Sequence, residues 1–101
     1  MDFTPKRVGE TEVFTVDFAD LLGQGETIVS ASWSCSLKEG ADPAAASMIQ
    51  GSPTLAGSKV STLISSGVAG CWYAPICTAL TSLGQVLILP ESGYGTLHVL
   101  P

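Results

Sequence analysis

An alternating stretch from Thr27 to Leu37 constrains the fold of this chain more than any other feature of its sequence. Serines 30, 32, 34 and 36 alternate there with Val29, Ala31, Trp33, Cys35 and Leu37. Neighbouring side chains in a β-strand point to opposite faces, so the stretch predicts a strand with a serine face in water and an apolar face in the core. Trp33 and Leu37 are therefore expected to be buried between two sheets.

Further short strands are predicted along the chain, separated by glycine-containing turns at spacings of roughly 8–12 residues. They cover residues 12–18, 27–37, 47–50, 53–56, 59–65, 71–80, 85–89 and 96–100. No window has helical apolar spacing over three turns. Seven or eight short antiparallel strands predict an all-β fold, an immunoglobulin-like β-sandwich. The predicted organisation is an N-terminal arm over residues 1–11 and a single β-sandwich domain over residues 12–101.

The predicted strand from Cys71 to Leu80 is apolar on both faces. A strand of this kind lies inside a core or at a contact between subunits. Pro75 cannot donate a hydrogen bond to a ladder, so the strand is expected at the edge of a sheet or with a bulge near Pro75.

The composition favours a protein that is packed between other subunits. Hydrophobic residues make up 46% of the chain and charged residues 13%, about half the usual share. A domain of 101 residues has too much surface to hide so many apolar side chains alone. The alternative is an ordinary sandwich rich in serine, threonine and glycine. The net charge of −5 comes without a basic stripe, so neither nucleic acid nor an anionic membrane is expected as a partner.

The residue types and their spacing do not provide the side chains that catalysis or metal binding would need. His98 is the single histidine, and the chain has no Gly-x-Ser-x-Gly motif. Cys35, Cys71 and Cys77 lack the close pairing of zinc ligands, and the odd number in a chain without a signal-peptide pattern predicts reduced, buried thiols. The acidic residues lack the spacing of a calcium loop. The chain is therefore predicted to be no enzyme and to hold no cofactor.

Two strings of residues resemble a family of small phage proteins. One runs from Val16 to Leu22 (VDFADLL), and the other from Gly25 to Trp33 (GETIVSASW). The second half is similar to that family in its glycine-rich turn at 67–70, the following Tyr73 and Thr78, and the Gly84-Gln85 turn. The resemblance spans about residues 12–90. It identifies the chain as similar to the immunoglobulin-like virion proteins described as fibre–tail adaptors.

The resemblance implies a non-enzymatic structural protein of a tailed phage virion that joins tail fibres to the tail tube. It implies multiple copies in the tail, synthesis in the host cytoplasm, and contacts with tail-tube and tail-fibre subunits. Two alternatives remain open. One is a head decoration or head–tail joining protein, and the other is a carbohydrate-binding module that engages the host surface through Trp72 or Tyr94.

The apolar excess also predicts which residues contact other subunits. The strand at 71–80 and the N-terminal arm are the expected contact surface, with Phe3 filling an apolar pocket of a neighbour. The candidate interface residues are Phe3, Lys6, Arg7, Trp72, Tyr73, Pro75 and Ile76.

Overall fold

Eight strands form two sheets in the computed structural model, which describes residues 3, 5–90 and 95–101. The strands are Lys6–Arg7 (β1), Glu12–Asp17 (β2), Ile28–Glu39 (β3), Ile49–Ala56 (β4), Lys59–Ile64 (β5), Trp72–Thr81 (β6), Val86–Leu89 (β7) and Leu97–Leu100 (β8). Short 3-10 turns span Ala19–Leu21 and Ala45–Met48. Among the described residues, no helix is long and apolar enough to cross a membrane.

The larger sheet has the order β1-β8-β6-β3, with β7 also paired to β6, and the smaller sheet has the order β2-β5-β4. All pairs are antiparallel except that of β1 with β8, which is parallel. The predicted all-β sandwich of seven to eight strands is confirmed. Alternate residues of each sheet meet in the core, among them Phe14, Val16, Phe18, Val60, Ile64, Tyr73, Cys77, Leu97 and Val99.

β3 has the predicted alternation, but its inward side chains are less buried than expected. The serine face is exposed, whereas Trp33 and Leu37 are half-buried rather than buried. The reason is that β3 lies at the edge of its sheet, where side chains are covered from one side only. Val29, predicted to point inward, is exposed because the register shifts by a β-bulge between Ile28 and Ser30.

β6 is a central strand, so its predicted position at a sheet edge was wrong. It pairs with β3 on one side, and on the other side with β8 at residues 72–73 and with β7 at residues 77–80. Pro75 lies between the segments that pair with β8 and β7. Its missing N–H therefore interrupts neither of these two ladders.

Candidate protein–protein interface

The N-terminal arm packs on its own sandwich at Phe3. The Phe3 ring meets that of Phe14 edge-on, with centroids 5.5 Å apart, and it also contacts Trp33. The Phe3 N–H donates to the Thr96 carbonyl at 2.9 Å. Phe3 is therefore half-buried within its own chain, and its contact with a neighbouring subunit stays a prediction. The arm residues 1, 2 and 4 lie outside the described residues.

Lys6 holds the arm to the sandwich through its side chain. Its side chain is fully buried, and its Nζ donates to the carbonyls of Arg7 at 2.8 Å and Ser66 at 2.6 Å. Burial lowers the pKa of Lys6, an effect that the charges of Glu10 and Glu12 oppose. Arg7 is exposed, and its guanidinium donates to the Pro101 carbonyl at 3.1 Å.

Tyr73 and Pro75 lie on the inward face of β6, so the prediction that they contact a partner does not fit their positions. Both side chains are fully buried in the core. The Tyr73 hydroxyl donates to Asp42 Oδ2 at 2.7 Å and accepts the Val68 N–H at 2.7 Å. Burial first, and then the hydrogen bond to Asp42, raise the pKa of Tyr73. Sequence showed two apolar faces on this strand but not which one faces the second sheet.

Trp72 and Ile76, the remaining candidates, lie on the outer face of β6. Ile76 is half-buried, and Trp72 stacks in parallel on His98 with ring centroids 3.9 Å apart. An open groove of about 510 Å³ beside Trp72 is lined by Lys38, Glu39, Trp72 and Thr96. His98 covers one face of the indole, which leaves less of that ring for stacking on a sugar. Tyr94, the other candidate for sugar binding, lies outside the described residues.

An apolar cluster occupies the opposite end of the same outer face. Leu80 of β6 pairs directly with Val86 of β7, and Thr78 pairs with Ile88, which places Leu80, Val86 and Ile88 side by side. Val29 lies in the β-bulge that opens next to the Ser30–Leu80 pair. All four apolar residues are exposed. We call Val29, Leu80, Val86 and Ile88 the outer patch.

No charged residue interrupts the outer patch or the strand positions that adjoin it. The neighbouring outward positions of β3 are serines, and the outward position between Ile76 and Leu80 is Thr78. A contiguous, uncharged apolar surface of this kind marks a contact with another protein more often than single exposed leucines do. The sequence analysis identified the outer face through Trp72 and Ile76 but missed this end of it. The signal was the apolar run from Val86 to Leu89, which makes β7 a second strand that is apolar on both faces.

The residues that carry the family resemblance hold turns together at one end of the sandwich. Asp17 Oδ1 accepts the Ala19 N–H at 2.9 Å and the Ser58 hydroxyl at 2.6 Å. Glu26 Oε1 accepts the Gly23 N–H at 2.8 Å, and Oε2 accepts the hydroxyl of Thr81. These hydrogen bonds lower the pKa of both carboxyl groups. The two acidic residues therefore connect β2, the loop before β3 and the turn after β6.

The cysteines and the other potential metal ligands lie in structural positions. Cys35, Cys71 and Cys77 are buried and free, as expected for reduced thiols. Burial raises the pKa of Cys35 and of Cys77 to about 12, which suppresses thiolate formation. Within residues 3, 5–90 and 95–101, no three side chains of histidine, cysteine, aspartate or glutamate come together as metal ligands would.

The family model described as podophage GP4 fiber-tail adaptor protein gp77 matches residues 6–88, which include β1 to β6 and most of β7. The chain belongs to this family. Its adaptor description implies a structural and non-enzymatic role in a phage particle. Comparison with curated proteins and with solved structures gives no significant match.

Proposed function

We propose that this protein is a tail subunit, present in several copies, that joins tail fibres to the tail tube of a podophage. The observation that carries the proposal is the family match over residues 6–88. The fold supports it, because a small rigid sandwich with opposed exposed surfaces can connect two neighbours without moving parts. Synthesis in the host cytoplasm follows from a virion location.

The outer face of the larger sheet is the proposed contact with another virion subunit. It carries the outer patch at one end and Trp72 at the other, with Ile76 between them. Burying apolar surface contributes roughly 25 cal/mol per Å², so these side chains are worth several times more to binding than the serines beside them. The proposed surface does not include Phe3, Lys6, Tyr73 or Pro75, because these residues are buried within the chain or packed on it.

A matched pair of double variants tests the contact. Leu80→Gln/Val86→Gln removes a cross-strand pair of the outer patch, whose members are 42% and 63% exposed. The control, Leu63→Gln/Val13→Gln, removes a cross-strand pair of 43% and 64% exposure from the outer face of the other sheet. Phages that lack the gene would be complemented with each variant, and fibres per particle would be counted by electron microscopy.

We expect particles with the outer-patch variant to lose fibres and particles with the control to keep them. Equal fibre counts would refute the proposed contact. Gold labelling of the protein in wild-type virions tests the role itself: label at the tail supports the adaptor, and label on the capsid supports a head decoration or head–tail joining protein instead. Binding of the purified chain to a glycan array would support the carbohydrate-binding alternative.

A further inference from the structure

The edge strands of the two sheets differ in how well they are protected from pairing with other chains. Natural proteins shorten their edge strands, charge them, or interrupt them with proline and bulges. β1 has two residues and β7 four, while β2 carries Glu12 and Asp17 at its ends. The register of β4 shifts between Gln50 and Thr54, around Pro53. Each of these edges has a feature that discourages a further strand.

β3 is the least protected of the edge strands. It has twelve residues and pairs with β6 on one side, and none of the described residues forms a ladder with its other side. Its charged residues, Lys38 and Glu39, and its two register shifts lie at its ends, so residues 30–37 between them are uninterrupted and contain neither a charged residue nor a proline. Eight extended residues present an edge of roughly 26 Å, which is more than half of the 43 Å length of the molecule.

The hydrogen bonds of β6 indicate which backbone groups of β3 are free. The Cys71 carbonyl accepts the Val99 N–H at 3.2 Å, and the Thr81 N–H donates to the Gln85 carbonyl at 2.9 Å. Odd-numbered residues of β6 therefore direct their backbone groups away from β3, and even-numbered ones bond to it. The partners of the even-numbered residues from 74 to 80 are the serines of β3. Hence the N–H and C=O groups of its odd-numbered residues, 31 to 37, point to the open edge.

We propose that the β3 edges of two copies of this chain pair antiparallel to form a dimer with a continuous sheet. The choice of a second copy rests on charge. The chain has a net charge of −5, so two copies repel each other at most orientations. β4, the edge strand of the other sheet on this side, is also uncharged, and it contacts β3. Two identical acidic chains can therefore approach at this side with the least repulsion.

The pattern of β3 is complementary to itself. With a two-fold axis at Trp33, Ser32 of each copy lies opposite Ser34 of the other, on the exposed face of the joined sheet. Such cross-strand hydroxyl pairs hydrogen-bond, as Thr15 and Ser61 do at 2.8 Å in the smaller sheet. In this register residues 30–36 of each copy pair with one another, and none of them is charged, so like charges do not meet.

Two lysine variants test the dimer on the purified full chain. Ala31→Lys places a charge on the inward face of the edge strand, where it reaches water in a monomer and is trapped in a joined sheet. Val13→Lys places the same charge on an exposed position of β2, an edge strand of the other sheet, where it stays in water in both states. Sedimentation equilibrium would compare each mass with the 10.4 kDa of one chain, at total concentrations from about 1 to 100 µM.

We expect wild type and Val13→Lys to reach twice the chain mass, and Ala31→Lys to need at least a tenfold higher concentration for the same dimer fraction. If Ala31→Lys does not fold, Ala31→Pro replaces it, because that change removes only an edge-facing N–H. Hydrogen exchange on wild type decides independently of any variant: the Trp33 and Cys35 amides should be more protected at about 100 µM than at about 1 µM.

A wild-type chain that stays monomeric at the highest concentration would overturn the proposal. So would a dimer that Leu80→Gln/Val86→Gln abolishes and Ala31→Lys leaves intact, because the copies would then meet through the outer patch. These measurements use the isolated chain, so they succeed or fail separately from the proposed role in the tail.

Discussion

Replacing Tyr73 with phenylalanine removes one buried hydroxyl and leaves the ring in the core. That hydroxyl joins β6 to two loops, because it donates to Asp42 in the loop after β3 and accepts the Val68 N–H in the loop after β5. The change therefore measures what the hydrogen bonds contribute apart from packing.

The expected loss follows from the two partners. The Val68 N–H loses its acceptor, and an unsatisfied buried donor costs about 1–3 kcal/mol. Asp42 loses a donor, but its half-buried carboxylate can bind water in exchange. We expect Tyr73→Phe to lower the free energy of unfolding by about 2–3 kcal/mol. In a domain of this size that corresponds to a fall in Tm of roughly 10–20 °C.

Urea unfolding followed by tryptophan fluorescence would measure the change, with Asp42→Ala and the double variant completing a double-mutant cycle. Tyr73→Phe should cost less in the Asp42→Ala background, because one of its two bonds is already absent. A loss below about 0.5 kcal/mol, or identical losses in both backgrounds, would refute the network. A contact role for Tyr73 makes the opposite prediction: unchanged stability of the isolated chain and impaired incorporation into particles.

Three further predictions concern turns and thiols. Gly40→Ala should lower the free energy of unfolding by about 2–5 kcal/mol, since φ is +112° and a Cβ would lie 2.5 Å from the Cys71 sulfur. Gly51→Ala, at φ +69° with open space around it, should cost only about 1–2 kcal/mol, and equal thermal shifts would contradict the packing at Gly40. Thiol titration in urea without reductant should find three reactive thiols per chain, and a count of one would reveal a disulfide. Burial raises the pKa of Cys35 and Cys77 from 9.0 to about 12, so these thiols ionise at a lower pH in the unfolded chain than in the folded one. The free energy of unfolding should therefore hold below pH 9.0 and fall as the pH rises toward 12. Each thiol contributes a slope of up to about 1.4 kcal/mol per pH unit, and Cys77→Ala should reduce the slope of urea-unfolding free energy against pH.

The sequence predicted the features that local patterns encode and missed the features that depend on which strands pair with one another. The serine alternation of β3 was enough to establish a strand with one exposed face. The bulge at Val29 could not be predicted, because an extra residue in one strand has no signature in the types of the residues around it. Pro75 correctly indicated a place where one side of its strand has no pairing partner. The conclusion that β6 is an edge strand failed because two different strands share its far side.

For a related reason, the candidate interface residues could not be sorted into buried and exposed ones from the sequence. An apolar strand offers two faces, and only the position of the second sheet decides that Tyr73 is covered while Trp72 is not. The two-residue β1 is too short for any periodicity, and a lysine in an apparently irregular arm gives no sign of burial. Lys6 can be buried because two backbone carbonyls accept hydrogen bonds from its Nζ. No sequence pattern predicts that two carbonyls will lie so close to one side chain.

The parallel pairing of β1 with β8 has a consequence for how the protein is made. A ribosome adds Val99 and Leu100, their partners, 93 residues after Lys6 and Arg7. The arm therefore has no strand to join, and Phe3 lacks the carbonyl of Thr96, until β8 has been synthesised. A truncated product that ends before β8 would keep the arm undocked and the apolar space beside Phe14 unfilled. Closure of the sheet thus distinguishes a chain that contains β8 from one that lacks it.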